Sequence, residues 1–448
     1  MYKLNIELTA KSTIFSMQIP FRLYKIGEFY VEYKSKDKDT PLEMGNHVER
    51  NGRYCVMWEI NNTKSKRQNI NRAEFKMNYD DIPDKVATIA VAKFENNEWR
   101  VNDNFIAIPN RMIGFSLTNM CNLRCKMCWQ DIEKPPQYLP AQAVDDILNS
   151  IKPLVNPPVY LWGGEPLLHP DVWKIVRSVK KKNLFCIVNT NGVMIENCID
   201  EIFDSGLDMC VVSIDGREDI HDKIRGREGT YQRVLRGLKK LCDQKKLRGR
   251  KPIIVINCVI TDLNYLLLEE LVKLKEEIEA DYLEFQFLMF FSNKEKEMFK
   301  HQFKQKFGFL PESADSYPDS FGDVYLPAFR KILFKIRRNS GDNVSLFPYE
   351  LNNIERVDDY FEEPNKLHRS YCANIHKSFW VESNGDVYPC SNFTDYCVGN
   401  ILEQDFYDIW NGQKFVQFRE EMNKDLFSIC SRCCDMYKTN MFQRRGQA

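Results

Sequence analysis

The stretch Cys121-Asn-Leu-Arg-Cys125-Lys-Met-Cys128 decides how the whole chain is interpreted. Its cysteines follow a C-x3-C-x2-C spacing and come just after an apolar run that ends at Leu117. A strand leading into such a loop brings three thiolates to one point, and thiolates are soft ligands that favour iron–sulfur clusters or zinc. Three ligands are one short of a closed four-ligand site, so the fourth position is supplied from elsewhere or stays open for chemistry.

Two simpler interpretations of this loop remain open. Free cysteine is often a buried core residue, although three cysteines interleaved with Asn, Arg and Lys make poor core material. A zinc site also fits the loop taken alone. A second motif helps to separate these interpretations from iron–sulfur chemistry. It is the GGEP sequence at residues 163–166, which follows another apolar run about 35 residues after the last cysteine of the loop.

Together and in this order, the two motifs resemble the cluster loop and the GGEP motif of radical SAM enzymes. The resemblance implies a [4Fe–4S] cluster held by Cys121, Cys125 and Cys128, with S-adenosylmethionine (SAM) on its open iron. Reductive cleavage of SAM then yields a 5′-deoxyadenosyl radical that removes a hydrogen atom from the substrate, while the protein orients the cofactor. One departure is Met127, at a position that is usually aromatic in this family; Trp129 follows the third cysteine instead.

The resemblance also implies a set of SAM-binding residues. Gly163 and Gly164 lack Cβ atoms, which allows close approach of the backbone to a ligand, and the family places the methionyl amino group there. Glu165 and Pro166 complete that turn, with Glu165 bracing it; an ordinary strand-end turn is the alternative. The remaining assignments are Ser213 and Arg225 on the SAM carboxylate, Asp215 on the ribose or positioning Arg225, and Asn191 either on SAM or simply in an Asn-Gly turn.

The bulk composition restricts the class of protein. The chain has 448 residues with 43% apolar residues, enough for two to four domains with real cores. Basic and acidic residues number 63 each, so no general attraction to nucleic acid or anionic membrane is expected. Apolar runs are too short for a transmembrane helix, and the N-terminus does not read as a signal peptide. Fifteen cysteines without a secretion signal therefore indicate metal-bound thiolates in the reducing cytoplasm.

Alternation of apolar and polar residues predicts a β-rich accessory domain at residues 1–111, either an antiparallel sandwich or a barrel. It has a structural, substrate-binding or partner-binding role, but it lacks the helices expected of a peptide-leader-binding domain. Strands and helices then alternate over residues 112–290, which predicts βα units and a parallel sheet. Six strands suit the α/β fold that the resemblance implies, a partial (β/α)6 radical SAM barrel, whose site lies at the C-terminal strand ends.

Predicted barrel strands cover residues 113–117, 159–162, 184–189, 209–214, 253–260 and 282–289, and predicted helices cover residues 141–151, 171–181, 193–203, 231–243 and 265–278. A helical connector, with helices near residues 299–309 and 326–336, is expected at residues 291–368. The last predicted domain, residues 369–448, is small and rich in cysteine.

The C-terminal cysteines form a second constellation around an expected β-hairpin with its turn at Asn384-Gly385. Their order resembles the SPASM or twitch-type extension of radical SAM enzymes, which holds auxiliary [4Fe–4S] clusters. The matching ligands for one auxiliary cluster are Cys372, Cys390, Cys430 and Cys433. Cys397 and Cys434 are too few for a second cluster, and Cys434 is the alternative to Cys433. A structural zinc site with four cysteines fits the same spacing.

The expected activity is reductive cleavage of SAM and hydrogen abstraction, with the auxiliary cluster as electron acceptor or relay and a donor such as flavodoxin or ferredoxin. Enzymes with this extension most often oxidise or cross-link a peptide or protein. Others oxidise or epimerise a carbohydrate or another small metabolite, and that alternative stays open. A non-catalytic iron–sulfur or zinc-binding protein would need no GGEP motif. No catalytic acid or base can be identified from the sequence.

Overall fold

The computed structural model describes nine strands within residues 1–110. Beyond them it describes residues 111–128, 130, 135–151, 156–249, 251–341, 343–348, 356–363, 366–367, 372 and 374–433. The chain forms two compact units. One comprises Met1–Asn110, Ser150–Asn156 and Trp410–Val416, and the other comprises Arg111–Asn149, Pro157–Ile409 and Gln417–Ala448. The division into four domains stays a prediction.

The N-terminal strands form two antiparallel sheets, in the orders β1-β2-β6-β5 and β4-β3-β7-β8-β9. Their bounds are β1 Lys3–Leu8, β2 Ser12–Gln18, β3 Glu28–Ser35, β4 Glu43–Met44, β5 Asn46–Arg50, β6 Arg53–Asn61, β7 Ile70–Asn78, β8 Val86–Glu95 and β9 Glu98–Asn102. The prediction of a β-rich region is confirmed.

A ten-stranded sheet organises the second unit, in the order β16-β15-β14-β13-β12-β11-β10-β17-β18-β19. The six predicted barrel strands are all present and parallel: β10 Met112–Ser116, β11 Val159–Trp162, β12 Cys186–Thr190, β13 Met209–Ser213, β14 Ile253–Ile260 and β15 Tyr282–Phe287. Every residue of β10 and β13 is buried, as expected for a parallel sheet covered on both faces. The predicted α/β fold is confirmed.

The helices of the second unit lie between these strands and beyond them: α1 Ala141–Ile151, α2 Val172–Lys181, α3 Ile199–Asp204, α4 Glu218–Arg225, α5 Thr230–Arg248, α6 Leu268–Glu277, α7 Asn293–Phe307, α8 Leu326–Asn339, α9 Val357–Glu362, α10 Asn374–Lys377, α11 Phe406–Trp410 and α12 Gln413–Lys424. The single helix predicted at residues 193–203 is wrong, because a 3-10 turn at Ile195–Asn197 precedes α3. Asp200 and Glu201 in the first turn of α3 favour a new helix N-terminus there.

The C-terminal region continues the barrel sheet. Strand β17 (Ser378–Val381) pairs in parallel with β10, and β18 (Asp386–Tyr388) and β19 (Gly399–Asn400) follow in antiparallel order. The hairpin turn at Asn384-Gly385 is confirmed, and Gly385 has a φ of +88°. A methyl group at Gly114 would lie 2.1 Å from the Trp380 ring, so the hairpin packs directly against β10.

The opposite edge carries β16 (Val344–Phe347), which is parallel to β15 and was not predicted. Connector helix α7 packs its buried Phe299 and Phe303 on Phe427, with ring centroids 5.0 and 5.6 Å apart. None of the helices in the described part of the chain is long and apolar enough to cross a membrane.

Candidate active site

A cavity of about 250 Å³ opens at the C-terminal ends of the parallel strands. It brings together most of the residues that the sequence predicted for the first cluster and SAM: Cys121, Cys125, Cys128, Gly163, Gly164, Asn191, Ser213 and Arg225. Their elements explain the convergence, since all of these residues except Arg225, which ends helix α4, lie on or follow a parallel strand of one sheet. Glu165, Pro166 and Asp215 are not among the residues that line the cavity.

The cysteine loop rests on the C-terminal end of helix α4. Backbone N–H groups of Arg124 and Lys126 donate to the carbonyls of Arg225 and Ile224 at 3.3 and 2.9 Å. These carbonyls belong to the last turn of α4, whose final carbonyls have no partner within the helix. Gly226 ends the helix with a φ of +72°, and a methyl group there would lie 2.2 Å from the Arg124 oxygen. Helix α4, which the sequence analysis did not predict, therefore positions both the loop and Arg225.

The two glycines of the GGEP turn make room for the cysteine loop itself. A methyl group at Gly163 would lie 2.5 Å from the Thr118 oxygen, and one at Gly164 would lie 2.3 Å from the Met120 oxygen. Two backbone bonds hold this approach, from Gly164 N to Thr118 O and from Glu165 N to Met120 O, both at 2.7 Å. The sequence suggested that these glycines allow close approach of a ligand. In the structure they also allow the backbone of the GGEP turn to approach the backbone of residues 118–120.

Glu165 is fully buried beneath this turn. Its carboxylate accepts from Leu167 N at 3.0 Å, Thr190 Oγ1 at 2.7 Å and Asn191 N at 2.7 Å. Burial raises the pKa of Glu165 to about 7, and these donors act in the opposite direction. Pro166 starts the 3-10 turn Pro166–Leu168, where its fixed φ suits a first helical position. The carboxylate therefore ties the GGEP turn to the end of β12.

Asp215 and Arg225 form a buried ion pair, with Arg225 Nε 2.5 Å from Asp215 Oδ2. The second carboxylate oxygen accepts from Val259 N at 3.0 Å. Arg225 Nη1 lies 3.8 Å from Cys125 Sγ. Burial lowers the pKa of Arg225, but Asp215 and Cys125 raise it by more, so the guanidinium stays charged. Of the two roles left open for Asp215, these contacts correspond to positioning Arg225.

Asn191 joins the strand end to the cysteine loop. Its Nδ2 donates to Asn122 Oδ1 at 2.7 Å and lies 3.9 Å from Cys121 Sγ. Its Oδ1 accepts from Val193 N at 3.0 Å, which is an Asx turn. Asn191 thus belongs to the turn and also lines the cavity. A role in the Asn-Gly turn and a contact with SAM are therefore compatible.

The thiols of the loop affect one another electrostatically. Burial raises the pKa of Cys121 to about 11, and Glu165, Cys125 and Cys128 raise it further. Burial also raises the pKa of Cys128, with Cys125 acting in the same direction. A bound metal reverses this effect, because thiolates coordinate in the deprotonated form. Among the described residues, no three His, Cys, Asp or Glu side chains are arranged to bind a single metal ion. A [4Fe–4S] cluster takes each thiolate on a different iron, so three cluster ligands do not need to meet at a single ion.

The lining of the cavity also includes polar residues that sequence reasoning missed: Gln130, Asn257, Gln286, Tyr317 and Asn392. Asn257 and Gln286 are single carboxamides within the apolar strands β14 and β15, and that interruption is a signal that was available. Tyr317 and Asn392 lie outside the barrel, and only the folded chain brings them to its cavity.

The second cysteine constellation is also close in space. Burial raises the pKa of Cys430 well above its ordinary value, and the nearby Cys372 and Cys390 raise it further. Cys433 is buried, and its N–H donates to the Cys430 carbonyl at 3.2 Å. The thiol of Cys397 donates to the Gly399 carbonyl at 3.4 Å. Cys434 and Trp129 lie outside the described residues, so the choice between Cys433 and Cys434 stays a prediction.

A buried arginine anchors this constellation. Arg432 pairs with Glu295, and both side chains are buried. The guanidinium also donates to the carbonyls of Tyr360 at 2.8 Å and Phe290 at 3.2 Å. Its charge therefore has several partners, as a buried cation requires, and the 430–433 loop is joined to the connector.

Comparisons with known proteins match both cysteine regions. The family model described as the radical SAM superfamily matches residues 115–278, and the SPASM model, an iron–sulfur cluster-binding domain, matches residues 372–434. The chain is 26% identical to a tungsten-containing aldehyde ferredoxin oxidoreductase cofactor-modifying protein of Pyrococcus furiosus, over 73% of this chain and 90% of that protein. It is 25% identical to the pre-heme d1 synthase of Dinoroseobacter shibae, over 68% of this chain and 74% of that protein.

The fold of the chain is similar to that of a protein whose structure has been solved. Streptococcus suis SuiB bound to S-adenosylmethionine aligns with a TM-score of 0.52 at 16% identity, over 70% of this chain and 68% of that one. SuiB bound to its precursor peptide SuiA aligns with the same TM-score at 17% identity, over 70% and 67%.

Proposed function

Because the chain belongs to the radical SAM superfamily and carries a SPASM domain, we propose that it oxidises or cross-links a peptide or protein substrate. It is an enzyme that uses a [4Fe–4S] cluster, SAM and an auxiliary cluster. When bound, the cluster and SAM supply a 5′-deoxyadenosyl radical that removes a hydrogen atom from a C–H bond. A reduced carrier protein such as flavodoxin or ferredoxin donates the electron.

The described residues have definite roles in this proposal. Cys121, Cys125 and Cys128 hold the first cluster beside the cavity. Arg225, kept charged and in place by Asp215, binds the carboxylate of SAM together with Ser213, because a guanidinium pairs well with a carboxylate.

The backbone of Gly163 and Gly164 accepts the amino group of SAM, and Asn191 lies beside them. Glu165 and Pro166 act through the turn and do not touch SAM. The auxiliary cluster is held by Cys372, Cys390, Cys430 and Cys433.

The carboxamides that line the cavity are the observation that carries the peptide proposal. The side chains of Asn189 and Asn257 line the cavity, and each carboxamide carries both a donor and an acceptor, as a peptide group does. Asn189 Oδ1 is buried and has no hydrogen-bond partner among the described residues, so it can accept a hydrogen bond from a ligand in the cavity. SuiB, which shares the fold, is solved with a precursor peptide.

The same lining disfavours a substrate with several carboxylates, such as a haem precursor. In the described part of the cavity wall, Arg225 is the one cationic side chain, and in this proposal it is taken up by the carboxylate of SAM. A carboxylate buried without a cationic partner carries a large desolvation penalty. The pre-heme d1 synthase of Dinoroseobacter shibae is therefore similar in sequence without being a guide to this substrate.

The test is transfer of substrate deuterium to 5′-deoxyadenosine. Extract from the source organism grown in D2O is divided into a small-molecule filtrate and a retained fraction, and each is incubated anaerobically with enzyme, reductant and unlabelled SAM. Deuterium from the retained fraction alone, measured by mass spectrometry, is the result expected for a peptide or protein. Deuterium from the filtrate alone contradicts it and favours the carbohydrate or small-metabolite alternative. Cys125→Ala serves as the control that forms no 5′-deoxyadenosine.

A further inference from the structure

Asn392 lies where the cavity meets the second cysteine constellation. Its side chain lines the same cavity as the cysteines of the barrel loop and is 7% exposed. Its Nδ2 also lies 3.4 Å from Cys433 Sγ, at hydrogen-bond distance for sulfur. One side chain therefore contacts both the cavity and a proposed ligand of the auxiliary cluster.

Contacts with the connector hold the loop on which this side chain lies. Tyr317, itself buried, donates from its hydroxyl to the Asn392 carbonyl at 2.8 Å. Three residues further on, Asp395 accepts from the backbone N–H groups of Glu312 and Ser313 at 2.7 and 2.9 Å. Hydrogen bonds thus join the loop that carries Asn392 to the connector. The Asn392 carboxamide lies beside the sulfur of Cys433.

We propose that Asn392 is a positioning residue that raises the reduction potential of the auxiliary cluster by donating an N–H···S bond to Cys433. The inference rests on the proposed function in one respect, namely that Cys433 is a cluster ligand. A donor to a ligating sulfur stabilises the more negative, reduced cluster more than the oxidised one. Burial strengthens the effect, because Asn392 and Cys433 are each only 7% exposed and water does not compete for the sulfur.

The location of the bond makes this tuning relevant to the reaction. A substrate that touches Asn392 is separated from the Cys433 sulfur by a single side chain. The residue therefore joins the cavity lining by direct contact to a ligand of the proposed electron acceptor.

The test measures the midpoint potential of the auxiliary cluster alone. A full-length background variant with Cys121, Cys125 and Cys128 replaced by Ala is reconstituted with iron and sulfide, so that one cluster is loaded. Its reduction is followed by electron paramagnetic resonance at controlled potentials. Asn392→Leu keeps the approximate volume and removes the donor, and it is expected to shift the midpoint to a more negative potential. Asn392→Asp adds a negative charge and is expected to shift it further in the same direction.

Tyr317→Phe is the matched control. It removes one bond to the Asn392 backbone carbonyl but keeps the carboxamide donor and the two Asp395 bonds that hold the loop, so a midpoint close to the background value is expected. An unchanged midpoint in both Asn392→Leu and Asn392→Asp would overturn the proposal. An equal shift in Tyr317→Phe would also overturn it, because loosening of the loop would then explain the effect. Formation of 5′-deoxyadenosine by the unmodified chain is a separate readout, so a failure of the proposed function is distinguishable from a failure of this inference.

Discussion

Replacing Gly164 with alanine tests whether the GGEP turn and the cysteine loop approach as closely as the structure indicates. The new methyl group would lie 2.3 Å from the Met120 oxygen, whereas real contacts of this kind stay above 3.0 Å, so the loop must shift by about 0.7 Å. That shift strains the bond from Glu165 N to the same oxygen, now 2.7 Å long. Overpacking of this kind costs about 1–3 kcal/mol.

A cost of about 2 kcal/mol that falls on the SAM-binding conformation corresponds to a roughly 30-fold rise in the dissociation constant of SAM. Equilibrium dialysis of labelled SAM against the anaerobically reconstituted enzyme measures it directly. Iron and sulfide are quantified for each preparation, so that binding is compared at equal cluster content.

Gly341→Ala is the matched control for this substitution. Its new methyl group would meet nothing closer than Asn343 Oδ1 at 3.6 Å, which is an ordinary contact. We expect a change within about 0.5 kcal/mol, roughly two-fold in SAM affinity. If Gly164→Ala binds SAM as tightly as this control does, the tight backbone approach is refuted as a requirement of the site.

Three further predictions follow from the same contacts. Arg225→Lys keeps the charge but loses the planar fork beside Asp215, so SAM binding measured by dialysis should weaken about 10-fold; unchanged affinity contradicts the role of Arg225. Burial lowers the pKa of His221 to about 4, so its neutral form is favoured in the folded state, and stability present above about pH 6.5 should fall by at most about 1.4 kcal/mol per pH unit as the pH drops towards 4. The unfolding free energy of His221→Gln, measured by urea denaturation at several pH values, should depend less on pH between about 4 and 6.5 than that of the unmodified chain. An equal dependence on pH contradicts the assignment. Cys430→Ala should reduce iron from about eight to about four atoms per chain, whereas full retention contradicts the assignment of Cys430 as a ligand.

Much of the fold was predictable because its strongest signals are local. Apolar runs such as Val159–Trp162 end at loops with distinctive residues, and parallel strands place those loops at one edge of a sheet. Helix α4 was missed because its two turns are mostly charged and too short for a convincing period. Its importance lies in its last carbonyls, which accept from the cysteine loop, and no local pattern reveals that contact.

Two residues of the cavity lining could not be predicted because their roles depend on long-range contacts. Tyr317 comes from the connector and Asn392 from the cysteine-rich region, so each acquires its role only through a contact with distant parts of the chain. Asp215 is an intermediate case: the sequence suggested two roles, and the ion pair with Arg225 together with the Val259 bond leaves its carboxylate engaged by the protein.

Reductive cleavage of SAM is the central claim, and anaerobic turnover with a chemical reductant tests it most directly. 5′-Deoxyadenosine is quantified by mass spectrometry for the unmodified chain and for Cys125→Ala, each after iron–sulfur reconstitution. We predict steady formation of 5′-deoxyadenosine by the unmodified chain and none above background by Cys125→Ala. Equal amounts from both, or none from a fully loaded unmodified chain, would contradict the account.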